Sequence, residues 1–261
     1  MVEQIAARVE AFDRTYSRFR DDSLVSAIAA TPGTYRFPDD AAELFGLYRR
    51  LYEATDAAVS PLVGRTLESM GYGRGYSLRP EAERAPVPRW EDSFAFADGV
   101  LTTLRPLVLD VGAAGKGYLV DIVGRLLVAA GIDGFVIDAS GDILHAGDRP
   151  IRVALEHPRD ATKAVGVVDL AGASLCASAS NRRSWGEGLH HIIDATTGLP
   201  TDHVIATWAI AATALEADGL ATALFLADPA RLARDFDFDY VRMFANGRIE
   251  RSTHLDGELF V

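Results

Sequence analysis

A glycine-rich turn between an apolar run and a helical pattern constrains the fold of this chain more than any other stretch. Residues 107–121 read Leu-Val-Leu-Asp-Val-Gly-Ala-Ala-Gly-Lys-Gly-Tyr-Leu-Val-Asp. The pattern predicts a buried strand over 107–109 and a helix over 119–130 whose apolar side chains share one face. The glycines between them let the backbone turn and expose its N–H groups at the positive end of a helix dipole, next to Lys116. Such a turn suits a phosphate, although a connection that merely needs glycines in order to bend would look the same.

Composition limits the classes of protein that this chain can form. With 261 residues, of which 49% are apolar, it can bury a large core, and one domain is favoured over two closely packed halves. The formal net charge of −11 argues against sequence-independent binding of nucleic acid and against docking on anionic lipid. The sequence contains neither a leader peptide nor a run of 18 apolar residues, so we expect a cytoplasmic protein without a membrane segment.

The chain has a single cysteine, Cys176, in a stretch rich in alanine and serine. One cysteine excludes an internal disulfide and a cysteine zinc site. A small residue that fills space in the core is the favoured interpretation, with a reactive nucleophile as the alternative.

The remaining pattern predicts helices and hairpins in irregular alternation. We expect helices over 5–19, 39–51 and 216–226, a hairpin over 94–104, strands at 135–138, 151–155, 164–169 and 204–211, and a closing hairpin with Asn246-Gly247 at its tip. Residues 71–92 lack periodicity and predict a mobile surface loop, which over a pocket would act as a lid. Together these elements indicate an α+β fold in a single domain.

Several segments of the chain, in the same order, resemble motifs of one family. Residues 110–121 are similar to the signature DLGGIAKGYAVD of the ApbE family, the FAD:protein FMN transferases. Residues 55–64 resemble its GAFDPTVGPL loop, residues 138–143 its NLGGDI box, and residues 190–200 its HIIDPRTGRP turn. The resemblance covers most of the chain, from about Arg8 to Asp228, and implies the ApbE-type mixed fold.

The chain departs from these motifs at several positions. Ala57 and Ser60 replace a glycine and an aspartate of the family loop, and Ser60 keeps a donor and an acceptor without the charge. Ser140 replaces a glycine, and Ala195 replaces a proline. The family also has an additional N-terminal strand with a Met-Gly-Thr-like motif that contacts the flavin. We expect either that the domain of residues 1–261 lacks this strand or that the sequence starts late.

The resemblance implies that FAD lies across the 57–61 loop, the 110–117 turn and the 190–198 turn. The residues expected to contact it are Phe19, Ala58, Val59, Ser60, Asp110, Lys116, His191 and Ile192. Arg182 and Arg183 form the densest basic pair nearby, and either a phosphate contact or a solvated surface pair explains them.

Nothing in the predicted turn around His191 requires an imidazole side chain at this position. A histidine that enters a turn beside a pocket can titrate near neutral pH, and it can carry a proton or bind a pyrophosphate. By the resemblance we assign His191 a catalytic role, and we assign the neighbouring His190 a structural one.

Asp218 and Thr222 are expected to bind a metal. They resemble the family motif ADALATA, in which both side chains bind magnesium together with a main-chain carbonyl of the glycine-rich turn, here Ala113. Positions i and i+4 place both oxygens on one face of a helix, and Mg²⁺ prefers such hard oxygen ligands. The alternative needs no metal, because an aspartate is stabilised near a helix N-terminus and a threonine can bond back to its own helix.

The reaction implied by the resemblance is magnesium-dependent transfer of FMN from FAD to a threonine or serine of an acceptor protein, with release of AMP. Asp218 then counts as catalytic beside His191, and the partners are FAD and the acceptor protein. Two alternatives stay open, a magnesium-dependent FAD pyrophosphatase and a non-catalytic FAD-binding protein. A plain nucleotide-binding domain with a fortuitous turn is disfavoured by the ordered motifs.

Overall fold

The computed structural model describes residues 1–260. Within this range the helices are α1 (Val2–Tyr16), α2 (Leu24–Ala30), α3 (Ala41–Ala54), α4 (Gly64–Ser69), α5 (Gly115–Ala129), α6 (Ala214–Ala223) and α7 (Pro229–Leu232). The strands are β1 (Gly33–Arg36), β2 (Phe94–Ala97), β3 (Val100–Thr103), β4 (Phe135–Asp138), β5 (Asp142–Ala146), β6 (Ile151–Glu156), β7 (Ala164–Leu170), β8 (Ser174–Ala179), β9 (Ser184–Trp185), β10 (Leu189–His190), β11 (Ile193–Asp194), β12 (Leu199–Pro200), β13 (Val204–Ala211), β14 (Asp239–Phe244), β15 (Ile249–Arg251) and β16 (Gly257–Leu259). Short 3₁₀ turns lie at Pro61–Val63 and Ser180–Arg183. This mixture confirms the α+β class.

A six-stranded antiparallel sheet forms the centre of the molecule, in the order β15-β14-β13-β8-β5-β4. Both faces of its middle strands are covered, which requires apolar residues at successive positions. In β13, Trp208 faces one core while Ala209 faces the other. Alternation of side chains along an extended strand therefore joins two separate cores through one sheet.

The sheet separates a layer of helices from a smaller layer of strands. On one face, α5 and α6 pack against the sheet and against α1 and α3, and they form the larger core. On the other face lies the smaller core, bordered by the three-stranded sheet β16-β7-β6. Thr207 of β13 links the central sheet to the helix layer, because its hydroxyl donates to the Ala221 carbonyl of α6 at 2.6 Å.

Cys176 lies in β8, fully buried on the helical face of the sheet. Burial raises the pKa of its thiol well above the usual range, and the nearby carboxylates of Asp142 and Asp218 raise it further. A thiol with a raised pKa is a poor nucleophile, which agrees with the interpretation of Cys176 as a core residue.

The predicted elements hold with two corrections around the glycine-rich turn. Residues 107–109 form no strand, since Leu107 donates only to the Ile28 carbonyl at 3.3 Å and the run pairs with no ladder. The following helix begins at Gly115 rather than at 119. The first helix also ends at Tyr16, before the predicted end at 19, so Phe19 lies on the connection that follows it.

The end of the chain forms the predicted hairpin and one further strand. The closing hairpin of β14 and β15 has Asn246-Gly247 at its tip, as predicted. Strand β16, however, leaves this hairpin and pairs with β7. Among residues 1–260, no helix combines the length and apolar character that crossing a membrane requires.

Candidate active site

A cavity of about 360 Å³ opens where four connections meet on the helical side of the sheet. Its walls come from the end of α1, the 59–67 segment, the turn before α5 and the 183–193 segment. The predicted site residues that line it are Phe19, Val59, Ser60, Asp110, Ala113, Lys116, His191, Ile192 and Thr222. Ala58 and Asp218 are absent from this lining. The fold thus brings together residues from five distant segments of the sequence.

The turn before α5 is shaped by Asp110 and by a close helix contact. The Asp110 carboxylate accepts the Gly112 N–H at 2.7 Å, which closes the turn. Gly117 lies in the first turn of α5 against α6, where a Cβ would overlap the Ala214 carbonyl. Glycine is therefore required at 117 for the approach of the two helices. Its N–H donates to the Asp218 carboxylate at 2.9 Å, so the same approach holds Asp218 beneath the turn.

Helix α6 presents the oxygens that were assigned to a metal. Asp218 is buried, and the Thr222 hydroxyl lies 3.3 Å from the Ala113 carbonyl oxygen. Burial raises the pKa of Asp218 well above its usual range, and the neighbouring Asp142 carboxylate raises it further. Two buried carboxylates beside a hydroxyl and a carbonyl are a set that a divalent cation would stabilise. The oxygens therefore fit a magnesium ion.

This set would be missed by a search for side-chain clusters alone. Within residues 1–260, no group of three or more histidine, cysteine, aspartate or glutamate side chains is arranged to hold a metal ion. Asp218 and Thr222 of α6 contribute one carboxylate and one hydroxyl, and Ala113, in the turn before α5, contributes one main-chain oxygen. Magnesium often takes only one or two protein carboxylates and completes its shell with water and phosphate.

Lys116 stands at the cavity wall, close to both acids. Its ammonium lies 3.1 Å from the carboxylate of Asp142, which is fully buried, and 3.3 Å from the Ser140 carbonyl oxygen. The lysine side chain remains 42% exposed, so its charge still faces the opening. Asp142 therefore positions Lys116 through an ion pair.

His191 contributes a neutral imidazole to the cavity. Its Nδ1 is buried and has no hydrogen-bond partner. Burial lowers the pKa of His191, and the Arg183 charge lowers it further, to about 4. The expectation that this group titrates near neutral pH is therefore wrong for the protein without ligand. A neutral ring at pH 7 offers a free nitrogen to a proton or to a hydrogen-bond donor.

His190 has both ring nitrogens engaged by the backbone. Its Nδ1 accepts the Ile192 N–H at 3.2 Å, which leaves Nε2 as the donor to the Thr201 carbonyl at 2.6 Å. Burial lowers the pKa of His190 below its usual value. These bonds give His190 the structural position that the sequence suggested.

The 55–60 loop and the 190–198 turn are joined by the backbone. The Ala58 carbonyl accepts the Ala195 N–H at 2.9 Å, so Ala58 links the two segments from behind the cavity. Ser60 lines the cavity and caps the next turn, its hydroxyl accepting the Leu62 N–H at 3.2 Å. Ala57 has a φ of 69°, in the left-handed region that the glycine of the family motif would adopt without strain.

Sequence reasoning missed the buried arginine of the site. Arg18 lines the cavity, and its Nε donates to the Asp110 carboxylate at 2.5 Å across 92 positions of sequence. Burial raises the pKa of Asp110, but the Arg18 charge and the Gly112 N–H outweigh that effect, so the pKa lies below its usual value. No local pattern reports a contact over this separation. The adjacent Phe19 was the only signal in that segment.

The two arginines of the basic pair after β8, Arg182 and Arg183, lie in different surroundings. Arg183 lines the cavity, whereas Arg182 pairs with Glu156 at 2.6 Å on the surface. The surface interpretation therefore applies to Arg182, and a phosphate contact of Arg183 stays a prediction.

The 71–92 loop approaches the cavity with its first aromatic residues. Residues 71–92 contain neither helix nor strand, as expected. Tyr72 lines the cavity, and Tyr76 stacks on Phe19 with ring centroids 5.2 Å apart. Trp90 is buried at the far end of the loop. That the loop acts as a lid stays a prediction.

Comparison with known proteins agrees with this architecture. The model of the ApbE family matches residues 1–237. This chain belongs to the ApbE family. The short motifs and the match over residues 1–237 thus lead to the same family.

Members of the ApbE family with known names and structures resemble the chain over most of its length. The FAD:protein FMN transferase of Escherichia coli (strain K12) is 28% identical over 256 residues, which cover 88% of this chain and 71% of that protein. The crystal structure of the ApbE protein from Thermotoga maritima superposes with a TM-score of 0.83 at 23% identity, over 97% of this chain and 88% of that one. The flavin transferase ApbE from Vibrio cholerae gives 0.79 at 23% identity, over 96% and 87%. These structures establish the ApbE fold for the chain as a single domain.

Proposed function

We propose that this chain is an FAD:protein FMN transferase that requires magnesium and releases AMP. The observation that carries the proposal is that one cavity is lined by Lys116, His191, Ala113 and Thr222. The names of the curated relatives support the same reaction. The acceptor is proposed to be a protein that carries a threonine or serine at its flavinylation site.

The proposed reaction exchanges the phosphoanhydride bond of FAD for a phosphate ester on the acceptor. The hydroxyl oxygen of the acceptor attacks the phosphorus of the FMN half of FAD, and the bond from that phosphorus to the oxygen of AMP breaks. The proton of the hydroxyl passes to His191, whose unpartnered Nδ1 and neutral ring can accept it. AMP leaves with the electron pair of the broken bond.

The diphosphate of FAD is proposed to lie at the start of α5. The positive end of the α5 dipole and the Lys116 ammonium supply positive potential there. Magnesium would be held by Asp218, Thr222 and the Ala113 carbonyl, and when bound it would neutralise the charge that develops on the phosphates. Ser60, Val59 and Ile192 would enclose the flavin half.

Incubation with FAD, Mg²⁺ and candidate acceptor proteins tests the proposal. We expect flavin fluorescence on the acceptor band of a denaturing gel, a mass increase equal to FMN minus water, and one AMP per acceptor labelled. Asp218→Asn should lose this activity, because it removes the carboxylate from the cation site. The two alternative functions give different results. Free FMN with AMP would indicate a pyrophosphatase, and intact bound FAD would indicate a binding protein.

A further inference from the structure

Arg18 is a buried arginine with unused hydrogen-bond donors. Only 5% of the residue is exposed, and its Nε is engaged by Asp110. Both terminal nitrogens, Nη1 and Nη2, are buried and have no hydrogen-bond partner. Buried guanidinium donors are normally satisfied, because an unmade bond to a charged group is costly. Since Arg18 lines the cavity, a bound ligand is the group that can satisfy them.

The surroundings of Arg18 indicate which part of a ligand would meet it. Its guanidinium carbon lies 4.3 Å from the centroid of the Phe19 ring and 5.2 Å from that of Tyr72. Tyr72 in turn stacks on Trp185, with centroids 5.2 Å apart. This aromatic wall suits a planar ring more than a phosphate group.

The charge around Arg18 leads to the same distinction. Its ion pair with Asp110 cancels much of the positive charge that a phosphate would need. Two other cations on the wall are more accessible: Lys116, which pairs with Asp142 but stays 42% exposed, and Arg183, which is exposed. A guanidinium fork also matches two adjacent acceptors in one plane, as in a carboxylate. The pyrimidine edge of a flavin presents such a pair, a ring nitrogen beside a carbonyl oxygen.

We propose that Arg18 recognises the isoalloxazine ring of the flavin by donating from Nη1 and Nη2 to the acceptors on its pyrimidine edge. This inference rests on the proposed function, because it assumes that FAD occupies the cavity. Asp110 then acts as a positioning residue, holding the fork through Nε and leaving its outer donors for the ring. Recognition of the ring is thereby separated from binding of the diphosphate.

Binding of ligands that carry only one half of FAD tests the role of Arg18. Riboflavin offers the ring without phosphate, and ADP offers the diphosphate without the ring. Arg18→Lys keeps the charge beside Asp110 but loses the fork, so riboflavin and FAD should bind about ten- to a hundredfold more weakly while the affinity for ADP stays within about twofold. Calorimetric or fluorescence titration measures all three affinities.

Matched variants separate recognition from folding. Arg18→Met alone leaves Asp110 buried without its cation, so Arg18→Met/Asp110→Asn is compared with Asp110→Asn, and the same selective loss of riboflavin is expected. Arg20→Met is the control, since Arg20 pairs with Glu10 and Asp22 outside the cavity and its loss should change none of the affinities.

The remaining outcomes are distinguishable. If the wild-type protein fails to bind FAD at all, the proposed function itself fails. If FAD binds and Arg18→Lys keeps the wild-type affinity for riboflavin, Arg18 only neutralises Asp110 and the proposal is overturned. A loss confined to FAD and ADP would assign Arg18 to the diphosphate instead. Equal wild-type affinity for FAD and ADP would also overturn it, because the ring would then contribute nothing.

Discussion

His191 illustrates how a single position in this cavity is tuned by its surroundings. Folded protein keeps the imidazole neutral down to about pH 4, whereas the unfolded chain takes up a proton near pH 6.5. Between these values the unfolded state binds more protons, so stability falls as the pH falls through this window. We expect His191→Asn to remove about 3 kcal/mol of this loss between pH 7 and 4. Urea unfolding at several pH values measures it, with the exposed His203→Asn as control.

The catalytic assignment of His191 predicts a separate effect on turnover. A group that carries the proton of the acceptor hydroxyl typically contributes about 10²–10⁴-fold to the rate. His191→Asn should therefore lose about that much FMN transfer at pH 7 and still bind FAD. Turnover equal to that of wild-type protein in single-turnover assays would remove the histidine from the mechanism.

Ala57 is strained in a way that its replacement can relieve. Its φ of 69° is costly for a side chain with a Cβ and free for glycine. We expect Ala57→Gly to stabilise the protein by about 0.5 kcal/mol, since the relieved strain exceeds the added entropy of the unfolded chain. Ala58→Gly, at a neighbour whose φ is not positive, should destabilise it. Thermal unfolding that ranks the two variants in the opposite order would contradict this explanation.

At the scale of elements, the position of α6 depends on a carboxylate of α5. Asp121 accepts the N–H groups of Ala214 and Leu215 at 2.9 and 2.8 Å, which satisfies two free donors at the start of α6. Burial raises the pKa of Asp121 above its usual value, which reflects the cost of holding this acid inside the protein. The contact fixes the helix that carries Asp218 and Thr222.

Asp121→Asn should therefore destabilise the fold by about 1–3 kcal/mol, because the amide can satisfy only one of the two N–H groups. The control is Thr213→Ala, which removes the side-chain cap at the same helix start and should cost about 1 kcal/mol. Chemical unfolding compares the two variants. A smaller loss for Asp121→Asn than for Thr213→Ala would show that α6 does not depend on this contact.

The sequence predicts most elements well because their periodicity is local. Strands such as β4, β6, β7 and β13 carry apolar residues in runs or alternation, and their observed limits lie close to those expected. Residues 107–109 are the instructive exception. They are apolar and extended, but the run lies between other elements without a strand to pair with. Apolar pattern reports burial, and strand pairing depends on tertiary neighbours.

The same limit applies to the site. Asp110, Lys116 and His191 each belong to a motif that is contained in one short segment of sequence, and each of the three lines the cavity. The pairs that tune them join distant segments, as Arg18 does with Asp110 and Lys116 with Asp142. Those pairs, and the low pKa that burial and Arg183 give His191, arise only once the chain is folded.

At the scale of the whole molecule, the layered fold isolates the site from its scaffold. The smaller core lies on the far face of the central sheet, while the cavity is walled mainly by helix ends and connections on the helical face. Helix α6 thus carries Asp218 and Thr222, which we propose to bind a cation, and loops carry Ser60 and His191, which we propose to contact FAD. Such a division is typical of enzymes whose binding residues stand on loops over a rigid scaffold.

We propose that this cavity binds FAD with its diphosphate at the start of α5. The chain has two lysines, Lys116 at the cavity and Lys163 on an exposed turn paired with Asp160, and they form a matched pair for a test. We expect FAD titrated in the presence of Mg²⁺ to bind at least about tenfold more weakly to Lys116→Ala, which loses a charged phosphate donor, and unchanged to Lys163→Ala. Circular dichroism confirms that both variants are folded. Equal affinity of wild-type protein and folded Lys116→Ala for FAD would contradict the account.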